Sequence, residues 1–330
     1  MEIVKAEILF SRQCPLDCSY CGMKNEKQNN RSINEWFIGL ENLKSLGCQF
    51  AAFYGAEILM EFDKLKKVVG YSESIGIATT IITSGAVPDF KKKLRELYDN
   101  GARSLTMSND LCTTDPSSRR KTEQTLSNLQ FFNEYPECRD VASITTLTRQ
   151  NFHHLPEAIK KHTEMGIWTF FDFIHPDRGL PGTKCRGNAE GFVFEDEDFP
   201  KLAEVMDEVC EMKEQDYLVH VSKEYINLMK QNDFSLLKNY NWNCAKLDVF
   251  PSWVTIDCDG SVHYCDDFQE QRKQPKFDMT TLFKDWDKFC RHGKKLVGTR
   301  CRGCAWSTHI DAHYIKMGIN DIDSYVHGRT

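Results

Sequence analysis

Six short β-rich runs alternate with amphipathic segments over the first half of the chain. Each run is bounded by Gly, Asp, Asn or Pro, as strands usually are. The runs lie at residues 4–10, 49–55, 78–84, 104–108, 141–148 and 168–174. Strands that alternate with helices build βαβ units and a parallel sheet. The pattern predicts an α/β fold, a partial (β/α)6 barrel with its ligands at the carboxyl ends of the strands.

The segments between these runs carry signals for helix ends. In residues 32–47, Ser32 stands at the N-cap and Glu35 at the capping-box position. Gly166 closes another amphipathic segment, where a glycine suits a left-handed C-cap. Residues 195–213 predict a sixth outer helix, with Cys210 buried on its apolar face.

The alternation of strands and helices stops at about residue 216. Residues 253–268 instead contain two alternating β runs around Asp259 and Gly260, and this pair predicts a hairpin turn. We therefore divide the chain into a barrel over residues 1–215 and a smaller C-terminal domain over residues 216–330.

The composition excludes several classes of protein. The net charge of −6 argues against a dominant role in nucleic-acid binding. The chain has no run of eighteen apolar residues, and its N-terminus shows no signal-peptide cleavage site, so we expect a cytoplasmic protein without a membrane segment. Fourteen cysteines are many for such a chain, and in a reducing compartment clustered cysteines more often hold metal than form disulfides.

Three of these cysteines follow the first strand. Cys14, Cys18 and Cys21 are spaced C-x3-C-x2-C. A structural zinc or a protein-held iron–sulfur cluster normally takes four ligands, so a group of three lacks a ligand or leaves a position open. Three thiolates can hold three irons of a [4Fe–4S] cube and leave the fourth iron to a small molecule. Half of a zinc site is the alternative.

The cysteine spacing, with Tyr20 just before the third cysteine, resembles the signature of the radical S-adenosylmethionine (radical SAM) superfamily. The resemblance implies a partial barrel whose cluster binds SAM at its open iron. It also implies that the reduced cluster cleaves SAM to a 5′-deoxyadenosyl radical.

Segments after the next strands resemble the SAM-contact motifs of that family. Residues 54–58, "YGAEI", resemble Gly-Gly-Glu-Pro, although Ala56 and Ile58 depart from it. The resemblance implies that Glu57 accepts a hydrogen bond from the ammonium group of SAM and that Gly55 permits a close backbone approach; an ordinary strand-end turn is the alternative. The remaining implied cofactor contacts are Tyr20, Ser84, Ser108, Asp110, and Arg119 or Arg120.

A second group of cysteines lies in the C-terminal region. Its spacing is C-x15-G-x4-C around Gly260, followed by C-x2-C, which predicts a four-ligand metal site that zinc also satisfies. The arrangement resembles the twitch domain, a shortened SPASM domain of radical SAM proteins, and implies one auxiliary [4Fe–4S] cluster. Cys258 ranks second as a ligand. The implied ligands are Cys244, Cys265, Cys301 and Cys304.

Candidate catalytic residues follow the sixth strand. Residues 175–191 form a loop rich in Gly and Pro whose basic groups could bind an anionic substrate or the carboxylate of SAM; a solvated connection is the alternative. Cys185 in this loop is a candidate hydrogen-atom donor. Asp172 and His175 are candidate acid–base groups, although such residues often satisfy loop backbone instead.

Together these features predict a radical SAM enzyme that abstracts hydrogen from a small molecule. Its auxiliary cluster would help to oxidise the substrate, as a resemblance to the cyclitol dehydrogenase of aminoglycoside biosynthesis implies. Cross-linking or epimerisation of a peptide is the alternative. SPASM-type maturases usually carry a winged-helix domain before the barrel, and here the first strand begins at residue 4, which favours a small molecule or a peptide delivered by another protein.

The resemblance also implies an electron donor such as flavodoxin or ferredoxin. Two rivals come from other classes of protein. One is a zinc-stabilised binding protein without redox chemistry, and the other is an RNA-modifying enzyme, which the negative net charge does not favour.

Overall fold

The computed structural model describes most of the chain. The described residues are 3–18, 20–21, 30–111, 116–135, 140–174, 191–234, 236–239, 244, 250–265, 277–300 and 306–319, with the backbone alone at 116–124, 238–239 and 300. They form one nine-stranded sheet, whose order is β6-β5-β4-β3-β2-β1-β7-β8-β9. None of the described helices is long and apolar enough to cross a membrane.

The first six strands are parallel and lie side by side in chain order, so the chain forms the expected open, partial barrel. All six predicted strands are confirmed, with their ends within one residue of the predicted bounds. The strands are β1 (Lys5–Ser11), β2 (Phe50–Gly55), β3 (Ala78–Thr83), β4 (Ser104–Ser108), β5 (Asp140–Leu147), β6 (Trp168–Phe173), β7 (Trp253–Ile256), β8 (Ser261–His263) and β9 (Phe277–Asp278).

Helices follow the strands in turn, and those between the first six strands cover the outer face of the barrel. In the described part of the chain they are α1 (Ile33–Ser45), α2 (Phe62–Ser74), α3 (Phe90–Asp99), α4 (Pro116–Asn133), α5 (Leu155–Glu164), α6 (Phe199–Glu214), α7 (Lys223–Gln231), α8 (Leu236–Asn239), α9 (Leu282–Arg300) and α10 (Ser307–Lys316).

The helix ends form as the sequence predicts. The Ser32 hydroxyl accepts from the Glu35 N–H at 3.3 Å, and the Glu35 carboxylate accepts from the Ser32 N–H at 2.9 Å, which is a complete capping box. Gly166 follows α5 with φ +69°, in the left-handed region. Cys210 lies on α6 as predicted, but it is half-buried rather than buried.

The predicted hairpin extends the barrel sheet. Strands β7 and β8 pair antiparallel, and Gly260 takes φ +77° in the turn between them. Strand β7 also pairs parallel with β1, where Lys5 lies opposite Trp253. The C-terminal hairpin therefore shares one sheet with the barrel, while the domain boundary at residue 215 stays a prediction.

Helix α10 packs against the interior face of the sheet. Side chains alternate across a strand, so Glu7 faces inward while Ile8 packs against the outer helices. Nε2 of His309 on α10 lies 3.2 Å from Oε2 of Glu7, and the His309 ring stacks on Trp253 with 4.0 Å between centroids. Ile315 packs near the inward side chains of β2. Helix α10 thus fills space inside the barrel that strands β1 to β6 form.

Helix α10 also carries a buried carboxyl group. The hydroxyl of Ser222 donates to Oδ1 of Asp311 at 2.5 Å. Burial raises the pKa of Asp311 to about 7, even though this hydrogen bond and the charges of Lys213 and Lys5 favour the ionised form. Desolvation is the larger effect because the side chain is almost fully removed from water.

We expect the substitution Asp311→Asn to flatten the pH dependence of stability. The pKa in the folded protein lies above its usual value of 3.8, so the folded state keeps a proton that the unfolded chain releases. The stabilisation from Asp311 is therefore complete below pH 4 and is lost as the pH rises to about 7, at about 1.4 kcal/mol per unit of pKa shift. Melting temperatures at pH 5 and pH 8 measure the effect.

The matched control is Asp287→Asn, on the exposed side of α9. It should leave the difference between the two melting temperatures as it is in the wild type. An Asp311→Asn protein whose melting temperature falls between pH 5 and pH 8 as much as that of the wild type would contradict the assignment.

Candidate functional site

The N-terminal cysteines lie on the loop that leaves the carboxyl end of β1. Cys18 is buried, and Cys14 and Cys21 are half-buried. The Cys21 N–H donates to the carbonyl of Cys18 at 3.1 Å, and the Leu16 N–H lies 3.4 Å from Sγ of Cys14. The backbone thus turns tightly around the cysteines and donates to one sulfur, as it does around many metal-bound thiolates.

The three thiols lie close enough to influence one another. Burial, with smaller contributions from the charges of Glu57, Cys21 and Cys18, raises the pKa of the Cys14 thiol to about 11 against the opposing hydrogen bond from the Leu16 N–H. Cysteines bind metals as thiolates, which repel one another when they lie close together. A bound metal centre would offset the repulsion between these negative charges. A set of soft thiol donors fits iron in a cluster better than a hard cation such as Mg²⁺.

Within the described ranges, no three His, Cys, Asp or Glu side chains converge as they would on a single metal ion. The ligands of a [4Fe–4S] cube are spread over separate irons and need not converge on one point. The described cysteines are also thiols rather than disulfide partners.

Glu57 and Ser84 hydrogen-bond to each other beside the cysteine loop, and their contact with SAM stays a prediction. Oε1 of Glu57 accepts from the Leu59 N–H at 3.0 Å and from the Thr83 hydroxyl at 2.6 Å. Oε2 accepts from the Ser84 N–H at 3.0 Å and also from the Ser84 hydroxyl. The buried carboxylate therefore has four protein donors and ties the end of β2 to the end of β3.

Gly55 permits a close backbone approach, as expected, but the neighbour is the backbone of β1 in the same chain. A Cβ at position 55 would lie 2.3 Å from the carbonyl oxygen of Ser11. Past this contact, the Ala56 N–H donates to Ser11 at 2.9 Å and the Glu57 N–H donates to the Gln13 carbonyl at 2.8 Å. The residues that enter the cysteine loop are thus held against the segment that carries Glu57.

Tyr20 and Asp110 also hydrogen-bond to each other, while their contact with the cofactor stays a prediction. The Tyr20 hydroxyl donates to Oδ2 of Asp110 at 2.5 Å, and the Tyr20 ring packs edge-on against Phe192. The side-chain amide of Asn151 donates to the Asp110 carbonyl at 2.9 Å. Ser108 ends β4 just before this contact and is half-buried. The cysteine loop is therefore joined to the ends of β4 and β5.

Asp172 makes a structural contact at the inner face of β6. It is buried, and its Oδ1 accepts from the Ser307 N–H at 2.7 Å, in the first turn of α10. Burial raises the pKa of Asp172 to about 7, so the group changes charge near neutral pH. Its role as an acid–base group stays a prediction.

Several predicted site residues cannot be placed. His175, Cys185, Cys301 and Cys304 lie outside the described residues, and Arg119 and Arg120 lie in α4, where only the backbone is described. Of the C-terminal cysteines, Cys244 is buried and Cys265 is half-buried.

Two further residues belong to this site, and neither was singled out from the sequence. Thr83, which directly precedes Ser84, is the second hydroxyl donor to Glu57. Arg12 lies two positions before Cys14 and pairs with Asp257 of the C-terminal hairpin. A cation shortly after the apolar run Ile8–Phe10 was the only signal for Arg12, because its partner Asp257 is distant in sequence.

Comparison with known proteins is consistent with this geometry. Residues 8–161 match the family model described as the radical SAM superfamily. No curated protein matches the sequence.

Several solved structures share the fold. SuiB from Streptococcus suis bound to S-adenosylmethionine has a TM-score of 0.65 and 18% identity over 91% of this chain and 68% of that chain. SuiB bound to its precursor peptide has a TM-score of 0.62 and 17% identity over 86% and 64%. Native anSMEcpe, bound to AdoMet and a peptide, has a TM-score of 0.59 and 13% identity over 97% of both chains. Methylornithine synthase has a TM-score of 0.52 and 13% identity over 94% and 86%.

At these identities the structural matches establish the fold alone. The family match covers the cysteine loop, the segment with Glu57 and strands β2 to β5, which are the parts of the barrel that the described contacts bring together. The chain is an enzyme with a radical SAM domain over residues 8–161.

Proposed function

We propose that Cys14, Cys18 and Cys21 hold a [4Fe–4S] cluster and that the enzyme cleaves S-adenosylmethionine reductively. The observation that carries this proposal is the position of three thiols on one loop at the carboxyl end of β1, where the charges of Cys18 and Cys21 contribute to the raised pKa of Cys14. When bound, the cluster supplies the electron that breaks the sulfonium bond, and the resulting 5′-deoxyadenosyl radical abstracts hydrogen from a substrate.

The protein's own contribution is to bind and orient. The contact of Tyr20 with Asp110 fixes the cysteine loop against the end of β4. Glu57 presents a carboxylate beside that loop for the ammonium group of SAM, within a set of hydroxyl donors that hold it in one orientation. Ser108 and Asp110 are proposed to contact the rest of SAM, together with Arg119 or Arg120.

We also propose one auxiliary [4Fe–4S] cluster in the C-terminal region. The hairpin that the C-x15-G-x4-C spacing requires is present, with Gly260 in its turn and Cys265 two residues after β8. Cys258 lies within that turn, where its carbonyl accepts from the Arg31 N–H at 3.3 Å, and it remains the second choice as a ligand. The proposed ligands are Cys244, Cys265, Cys301 and Cys304.

The proposed substrate is a small molecule that loses hydrogen to the radical and is oxidised with help from the auxiliary cluster. Cys185, Asp172 and His175 are the proposed catalytic groups. A peptide substrate is the second candidate, and the peptide-bound SuiB and anSMEcpe structures, which resemble most of this chain, favour it. Flavodoxin or ferredoxin is the proposed electron donor.

Anaerobic purification and reconstitution test the proposal. We expect a brown protein with about eight irons per chain. With SAM and dithionite it should form 5′-deoxyadenosine, which chromatography with mass spectrometry quantifies. A colourless zinc protein that forms no 5′-deoxyadenosine would refute the proposal. Small molecules and peptides added in separate series then show which class stimulates the reaction.

The contacts of Glu57 predict the effect of a substitution at Ser84. All four lone-pair positions of the carboxylate already have donors, so an incoming ammonium group must displace one of them. The Ser84 hydroxyl can rotate away without moving the backbone. We therefore expect Ser84→Ala to bind SAM about threefold to tenfold more tightly, since the competing hydrogen bond is absent. Calorimetric titration of the reconstituted protein measures the affinity.

Ser45→Ala is the matched control because Ser45 is exposed at the end of α1. The Ser45→Ala protein should bind SAM with the same affinity as the wild type. Weaker binding by the Ser84→Ala protein would show that the hydroxyl contributes to binding instead of competing with the ammonium group.

A further inference from the structure

Two arginines flank the cysteine loop, and both bind the turn of the C-terminal hairpin. The first, Arg12, directly follows β1. Its Nε donates to Oδ1 of Asp257 at 3.2 Å and its Nη2 donates to Oδ2 at 2.5 Å. Only 7% and 9% of the two side chains are exposed, so this is a buried, two-pronged ion pair.

The second arginine, Arg31, lies where the loop ends and α1 is about to begin. Its N–H donates to the carbonyl of Cys258, and its Nε donates to the carbonyl of Asp259 at 2.5 Å. Its guanidinium also pairs with Glu35 and with Asp278 on β9. A Cβ on Gly260 would lie 2.6 Å from the Arg31 Nε, so the turn packs directly on this side chain.

The turn itself is well suited to hold its shape. The Asp257 N–H donates to the Ser261 carbonyl at 2.9 Å, and the Gly260 N–H donates to the Asp257 carbonyl at 2.8 Å. Oδ1 of Asp259 accepts from the Ser261 N–H at 2.9 Å. Both ends of the loop that carries Cys14, Cys18 and Cys21 are thus attached to a single hydrogen-bonded turn.

We propose that Arg12 and Asp257 are a positioning pair, which sets the distance between the two ends of the cysteine loop and so allows the N-terminal cluster to assemble and bind SAM. The inference rests on the proposed function, since it takes these cysteines as the cluster ligands. It makes the C-terminal hairpin part of the scaffold of the N-terminal site as well as of its own metal site.

The test is designed to separate positioning from stability. Removing one partner of a buried ion pair leaves an uncompensated charge and is strongly destabilising, whereas replacing both partners by apolar residues is often neutral. The double variant Arg12→Met/Asp257→Leu should therefore melt near the wild-type temperature. We expect its iron content to fall about twofold, and the SAM-dependent change in the electron paramagnetic resonance spectrum of the reduced protein to be lost.

The control double variant Lys160→Met/Glu208→Leu removes an exposed ion pair between α5 and α6. It should keep the iron content and the spectrum of the wild type. A folded Arg12→Met/Asp257→Leu protein with wild-type iron and a wild-type response to SAM would overturn the proposal.

If the double variant does not fold, Arg12→Lys decides, because it keeps a positive charge beside Asp257 and loses the two-pronged geometry of the guanidinium. A folded Arg12→Lys protein with reduced iron and a weakened response to SAM supports the positioning role, and unchanged values overturn it. The wild type is measured alongside: if it lacks an iron cluster that responds to SAM, the proposed function fails, independently of the positioning pair.

Discussion

Replacing any one of Cys14, Cys18 and Cys21 by serine should abolish the cleavage of S-adenosylmethionine. A hydroxyl is a poor ligand for iron, and the three thiols act as a unit, so loss of one removes the function of all. We expect 5′-deoxyadenosine formation to fall by at least about a thousandfold. Iron should fall from about eight to about four per chain, because the proposed auxiliary cluster has its own ligands.

Cys210→Ser provides the matched control, since Cys210 is half-buried on the outer helix α6. Its iron content and its rate should equal those of the wild type. Retention of SAM cleavage by the Cys18→Ser protein would exclude the N-terminal cysteines as the ligands of the catalytic cluster.

The second large effect is expected for Gly55→Ala. The new methyl group would lie 2.3 Å from the oxygen and 2.9 Å from the nitrogen of Ser11, and both are backbone atoms. Strands β1 and β2 must then separate just where Gln13 and Glu57 hydrogen-bond. We expect a loss of about 3 kcal/mol or more in the free energy of unfolding, together with loss of SAM cleavage. Chemical denaturation and the 5′-deoxyadenosine assay measure the two effects.

Gly39→Ala tests whether any added methyl group is harmful. Gly39 lies within α1, and its Cβ would meet the flexible side chain of Met279 at 3.0 Å, which can move aside. Alanine also favours a helix more than glycine does, so the change should be nearly neutral. Equal stability of the Gly55→Ala and wild-type proteins would show that the contact with Ser11 relaxes without cost.

Features with short-range causes could be predicted from the sequence. Strand bounds, the capping box at Ser32, the C-cap at Gly166 and the hairpin at Gly260 each depend on residues a few positions apart. The rule that parallel strands gather their carboxyl ends at one edge placed Glu57, Ser84 and Asp110 at the same edge of the sheet, but it did not indicate which of them hydrogen-bond to one another.

Long-range packing could not be predicted in the same way. Arg12 and Asp257 are 245 positions apart, and no local pattern relates them. The resemblance to a SAM-contact motif indicated that Gly55 is close to a neighbour but not that the neighbour is Ser11. The position of α10 inside the barrel depends on which apolar and charged surfaces fit together, and this information is spread over the whole chain.

The interior position of α10 has a consequence for how this protein is made in the cell. The contact between His309 and Glu7 joins residues 302 positions apart, so the interior of the barrel is completed only after ribosomes have translated α10. Such distant contacts slow folding because long loops must close first. Iron delivered before that point would meet an unfinished barrel, and we therefore expect metal insertion to follow the synthesis of α10.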